Sequence, residues 1–104
     1  WCVFQPHTYT RTHKLFEDFV HAFEKADRVI ITDIYAAREK DTGLIHSRDL
    51  VKSISQTGQT CTYMETFEQV ADYLRENTSP GDIVITMGAG DIYKVGDMLL
   101  DSAS

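Results

Sequence analysis

The sequence predicts an α/β domain, a mostly parallel β-sheet with helices on both faces. Three observations carry this. Four short β-type runs alternate in series with four helical patterns. Arg28–Ile34 (RVIITDI) is β-branched and almost wholly apolar, as a central parallel strand is, and Asp82–Met87 (DIVITM) is a second strongly apolar strand. The 104 residues are 42% hydrophobic, enough to build one core and one domain.

Trp1–Gln5 reads as the first strand. Thr10 or Thr12 caps a helix on which Leu15, Phe16, Phe19, Val20 and Phe23 recur at helical spacing. Arg28–Ile34 follows as a central strand. Tyr35–Gly43 is a loop crowded with charge, including Arg38, Glu39, Lys40 and Asp41. Ser47 caps a short helix bearing Leu50, Val51 and Ile54, and Thr60–Met64 is a short strand. Thr66 and Gln69 form a capping-box pair ahead of Phe67, Val70, Ala71 and Leu74. Pro80-Gly81 marks a turn before the strand Asp82–Met87. Gly88-Ala89-Gly90-Asp91 then leads into a helix with Ile92, Val95, Met98 and Leu99. Right-handed crossovers between such strands give a Rossmann-like three-layer sandwich over residues 1–104, with no internal domain boundary.

The net charge of −6 argues against general binding to nucleic acid or anionic membranes. No apolar run reaches membrane length and no signal peptide is legible. Cys2 and Cys61 lie in apolar strand-like runs without metal-ligand spacing, so reduced thiols in a cytoplasmic protein are expected. The chain starts in mid-strand without methionine, and we expect it to be a piece of a longer protein, with strands missing from its front.

Parallel strands gather three loops at one edge: His7–Thr12, Tyr35–Gly43 and Gly88–Asp91. Ligands of open α/β sheets bind at such an edge. Arg11 sits in the first turn of a helix, against the macrodipole. It either serves a carboxylate or phosphate in a two-pronged grip, or pairs with Asp18 or another surface acid. His7, held by Pro6, either donates to the same anion or is satisfied by backbone. Gly88-Ala89-Gly90-Asp91 resembles a phosphate-binding turn, but Tyr93 stands where a dinucleotide fingerprint needs a small residue and no P-loop Lys-Ser/Thr follows. A tight turn with Asp91 as helix cap fits it better. The 35–43 loop is either solvated or a lid. His13 and His21 read as surface residues, Phe16, Phe19 and Phe23 as core, and His46 has no assigned role. No catalytic nucleophile and no metal site are legible.

Three blocks carry a family resemblance. They are Phe4-Gln5-Pro6-His7-Thr8-Tyr9-Thr10-Arg11-Thr12, Asp33-Ile34-Tyr35-Ala36-Ala37-Arg38-Glu39 and Met87-Gly88-Ala89-Gly90-Asp91-Ile92. In order and spacing they resemble the C-terminal domain of the Mur ligases, in the branch that joins L-alanine to UDP-N-acetylmuramate. The resemblance implies a cytoplasmic three-domain enzyme of peptidoglycan precursor and cell-wall synthesis. Its N-terminal domain holds the UDP-sugar and its central domain holds ATP and magnesium (Mg2+). The C-terminal domain closes over both and helps hold the amino acid. ATP phosphorylates the muramate carboxylate, the alanine amine attacks the acyl phosphate, and phosphate leaves through a tetrahedral intermediate. The resemblance implies that His7 and Arg11 lie near a substrate carboxylate, with Tyr9 lining the site or packing the loop, and Gly88, Gly90 and Asp91 beside it. Many members carry arginine after the block's histidine, where this chain has Thr8. The ATP and magnesium sites would lie in the other domains, so the chain alone is expected to lack ligase activity and to bind little ATP. A free-standing small-ligand or nucleotide-binding module is the alternative reading.

Overall fold

A computed structural model describes residues 1–36, 40, 43, 45–88 and 92–103, with the backbone alone over 100–103. The elements are β1 (Cys2–Phe4), α1 (Tyr9–Lys14), α2 (Phe16–His21), β2 (Val29–Ile31), α3 (Ser47–Gln56), β3 (Cys61–Tyr63), α4 (Phe67–Asn77), β4 (Ile85–Met87) and α5 (Tyr93–Ala103). The four strands form one sheet in the order β3-β2-β1-β4, and every neighbouring pair is parallel. The expected α/β sandwich is present.

Alternation along β1 and β2 divides the core. Cys2, Phe4, Val29 and Ile31 face one layer, where Val20, Phe23, Leu50 and Ile54 meet them. Phe4 rests between Phe19 and Phe23, with ring centroids 5.1 and 5.3 Å away. Val3 and Ile30 face the other layer, formed by Val70 and Leu74 of α4 with Ile92 and Val95. Phe16, Phe19 and Phe23 are core as expected, and His13 and His21 are exposed. The Gln59 amide donates at 2.7 Å to the carbonyls of both Phe23 and Ala26, tying down the turn that follows α2.

Several local expectations are corrected. The first helix is capped by Thr8, not Thr10 or Thr12, because the Thr8 hydroxyl already accepts from the Arg11 N–H at 3.3 Å. That helix also breaks at Leu15, whose φ of −104° and ψ of 17° leave helical geometry. His46, not Ser47, caps α3: its Nδ1 accepts from the Arg48 N–H at 3.0 Å, while Asp49 accepts from the His46 N–H at 2.9 Å. Ser47 is instead buried, and its hydroxyl donates to Thr32 O at 2.6 Å. The Thr66–Gln69 capping box on α4 forms as expected.

The run Asp82–Met87 is the largest departure. Only Ile85–Met87 is strand, and it lies at the sheet's edge. Ile83, Ile85 and Met87 are 72%, 55% and 43% exposed. Gly90 and Asp91, with most of the 35–43 loop, lie outside the described residues, so the expected Asp91 cap and loop lid do too.

Candidate functional site

The site is built where β1 ends. Tyr35 N–H donates to Pro6 O at 2.8 Å, and Thr8 N–H donates to Tyr35 O at 2.8 Å. This clamp flattens His7 against the Tyr35 ring, with centroids 5.6 Å apart and planes 16° apart. The chain then turns sharply. Thr8 has φ 61° and ψ 147°, a region β-branched residues rarely enter. Its carbonyl accepts from both the N–H (3.1 Å) and the hydroxyl (2.7 Å) of fully buried Thr12. Thr8 therefore fixes the rotation of α1 and, with it, the direction of Arg11.

Arg11 is exposed, and no carboxylate among the described residues lies within 4 Å of its guanidinium, Asp18 included. Beside it is a cavity of about 160 Å³ lined by Phe4, Gln5, His7, Arg11, Phe19 and Gly88. Two loops far apart in sequence thus place His7, Arg11 and Gly88 around one space. Gly88 is there for closeness: a Cβ on it would stand 3.0 Å from Gln5 O and 3.2 Å from Ile92 Cγ2. Its φ is not in the left-handed range, so the expectation of a positive-φ turn does not apply at this residue.

Tyr9 goes elsewhere. It lines a separate cavity of about 110 Å³ with Asp33, Ile34, His46 and Ser47. Two residues along a helix turn the side chain by about 200°, so Tyr9 and Arg11 leave opposite sides of α1. The Tyr63 hydroxyl donates to Asp33, and His46 Nε2 is 3.9 Å from the same carboxylate oxygen. Burial, then the hydrogen bond and charge of Asp33, push the Tyr63 phenol up to about 12, with Arg48 opposing. Arg48 lies over the Tyr63 ring at 5.1 Å. These groups satisfy one another and join the end of β2 to the start of α3.

Sequence reasoning missed Phe4, Gln5 and Phe19 as cavity walls. Phe4 and Gln5 stand in the first of the three blocks, residues 4–12, but which face they line depends on strand parity. Gln5 is buried, and its Oε1 has no hydrogen-bond partner among the described residues. A larger concavity, about 580 Å³, opens at the other end of the strands among Trp1, Lys25, Arg28 and Ile83. We place the site at the smaller cavity because the carboxyl ends of parallel strands are where such sheets bind ligands.

The family model described as "Mur ligase, glutamate ligase domain" matches residues 1–90. The chain belongs to the Mur ligase family. Its curated relatives include UDP-N-acetylmuramate–L-alanine ligases. That of Acetivibrio thermocellus is 61% identical over 100 residues, covering 96% of this chain and 21% of the relative. Those of Caldanaerobacter subterraneus subsp. tengcongensis and Clostridium tetani are each 54% identical over 99 residues, covering 95% of this chain and 22% of theirs. This Mur ligase domain therefore spans about a fifth of the length of those relatives.

Proposed function

We propose that this domain holds the incoming amino acid for an ATP-dependent ligase that joins L-alanine to UDP-N-acetylmuramate in the cytoplasm. The cavity shared by His7, Arg11 and Gly88 carries the reading. The activity for which its relatives are named supplies the substrate pair. Arg11 grips the alanine carboxylate with two parallel N–H donors, and His7 adds a third. Phe4 and Phe19 offer an apolar wall to a small side chain. Holding the carboxylate leaves the amine free to point at the muramoyl phosphate. The amine nitrogen bonds to the acyl carbon, loses a proton, and inorganic phosphate leaves. Alignment of this kind can supply about 7–11 kcal/mol of the barrier.

The residues here do not fit a nucleotide-triphosphate or magnesium site. No Lys-Ser/Thr follows the Gly88 turn, and no group of three or more His, Cys, Asp or Glu among the described residues could hold a metal ion. ATP and magnesium would be held by other parts of the proposed ligase. No described helix is long and apolar enough to cross a membrane.

The test is phosphate release by the full-length ligase given ATP, magnesium, UDP-N-acetylmuramate and a panel of amino acids. Release that depends on L-alanine is expected from the whole protein and none from this chain alone. A folded full-length protein that releases phosphate with no amino acid in the panel overturns the reading.

A further inference from the structure

Among the described residues, Gln5 is the buried polar side chain left with an unpaired atom. Its companions in burial are Thr12, Thr32 and Ser47. Those three spend their hydroxyls on carbonyls: Thr12 on Thr8 O (2.7 Å), Ser47 on Thr32 O (2.6 Å) and Thr32 on Asp33 O (3.4 Å). Gln5 is 6% exposed, and its Oε1 accepts from no described donor. Folded chains leave few buried acceptors unpaired, and each one left calls for a cause, such as a ligand.

The place of Gln5 supplies the cause. It follows β1, with β2 and β3 to one side of that strand and β4 to the other, so it stands where the strand order changes direction. It lines the same cavity as His7, Arg11 and Gly88. Its backbone is held there, since its N–H donates to Met87 O at 2.9 Å. Glycine at 88 makes the room: a Cβ there would stand 3.3 Å from Gln5 Cβ. The cavity of about 160 Å³ matches the share of about five waters at roughly 30 Å³ each, a size for a small amino acid.

We propose that the Gln5 amide oxygen binds the amine of the incoming amino acid, and so fixes which end of it meets the acyl phosphate. This rests on the reading that the cavity is the amino-acid site. An amino acid has an acceptor end and a donor end. Its carboxylate offers only acceptors and belongs with Arg11 and His7. Its amine offers the donor that Gln5 Oε1 lacks. The terminal torsion of glutamine is broad, so a turn of the amide presents the oxygen to the cavity without moving the strand.

A neutral acceptor also suits the chemistry. The nucleophile is the uncharged amine, whose lone pair attacks the acyl carbon. A carboxylate in this place would favour the ammonium, which has no lone pair. An amide oxygen accepts one N–H and leaves the lone pair free. The residues lining the cavity include no carboxylate.

Initial-rate kinetics of the full-length ligase test this with two substitutions. Gln5→Met keeps the reach of the side chain and removes the acceptor. It should raise KM for L-alanine about 10-fold. Inhibition by propionate, which has the carboxylate and no amine, should not change. Gln5→Glu should keep L-alanine binding but move the acid limb of kcat about one unit to higher pH, because its carboxylate holds the ammonium. An unchanged KM for L-alanine in Gln5→Met overturns the proposal. Equal weakening of L-alanine and propionate also overturns it, because Gln5 then only props the pocket. If Gln5→Met does not fold, Gln5→Glu decides, and an acid limb that stays in place overturns the proposal. A wild-type ligase that releases no phosphate with L-alanine refutes the site reading itself, whereas these outcomes in an active wild type refute the role of Gln5 alone.

Discussion

Arg11 stands midway along the six-residue α1 and counts in its last turn, so the expected conflict with the macrodipole is absent; what is left is an exposed charge with no described acid within 4 Å. A ligand carboxylate is the compensation we assign. Arg11→Ala in the full-length ligase should raise KM for L-alanine about 10- to 100-fold, the worth of charge-assisted hydrogen bonds of about 1.5–3 kcal/mol. KM for ATP should not move, and Arg11→Lys should recover little because the paired geometry is lost. Initial-rate kinetics with each substrate varied would check this; an unchanged KM for L-alanine removes Arg11 from the site. A second residue-scale expectation concerns alkali. Burial lifts the Cys61 thiol from 9.0 to about 12, and Tyr63 rises from 10.0 to about 12. Both groups favour their protonated form in the folded chain. Their stabilisation is complete below the ordinary values and is lost as pH rises toward 12. Urea unfolding midpoints should therefore fall between about pH 9 and 12, and Cys61 should resist thiol reagents at pH 8 until the chain unfolds. Rapid labelling of native Cys61 at pH 8 would contradict this.

At the scale of elements, Thr8 does two jobs that pull against each other. It caps α1, yet its φ of 61° costs about 1–3 kcal/mol. Thr8→Gly removes the strain, forfeits a few tenths of a kcal/mol of capping and adds chain freedom of about 0.5–1 kcal/mol. The net expectation is a domain about 1 kcal/mol more stable by urea unfolding, with a higher KM for L-alanine because α1 is less firmly aimed. A less stable variant would mean that the cap outweighs the strain. This is also where the sequence was hardest to read. Alternation of apolar runs revealed the parallel strands and both helical layers, because burial on two faces leaves a continuous apolar signature. The cap at Thr8 was hidden because threonine gives no hint of left-handed backbone. His46 was passed over because Ser47 is the commoner cap, while tertiary structure drew the Ser47 hydroxyl to Thr32 O. His7, Arg11 and Gly88 were legible as neighbours from loop positions alone, and their cavity bears that out. Whether Tyr9 lines the site or packs the loop was left open by the sequence because helical phase decides it, and it lines the cavity on the other side of α1.

At the scale of the molecule, the two edges of the sheet behave differently. At the carboxyl edge polar groups are clamped, stacked or paired, as His7 and Asp33 are. Along β4 an apolar run that reads as a buried strand is exposed, which sequence cannot distinguish from a strand awaiting its cover. Ile85→Lys in this chain replaces a 55% exposed aliphatic with an edge-guarding charge. It should change the urea unfolding free energy by no more than about 0.5 kcal/mol, and the variant should sediment as a monomer at every concentration. A loss of more than about 1 kcal/mol would mean that Ile85 packs in the folded chain more than its exposure indicates.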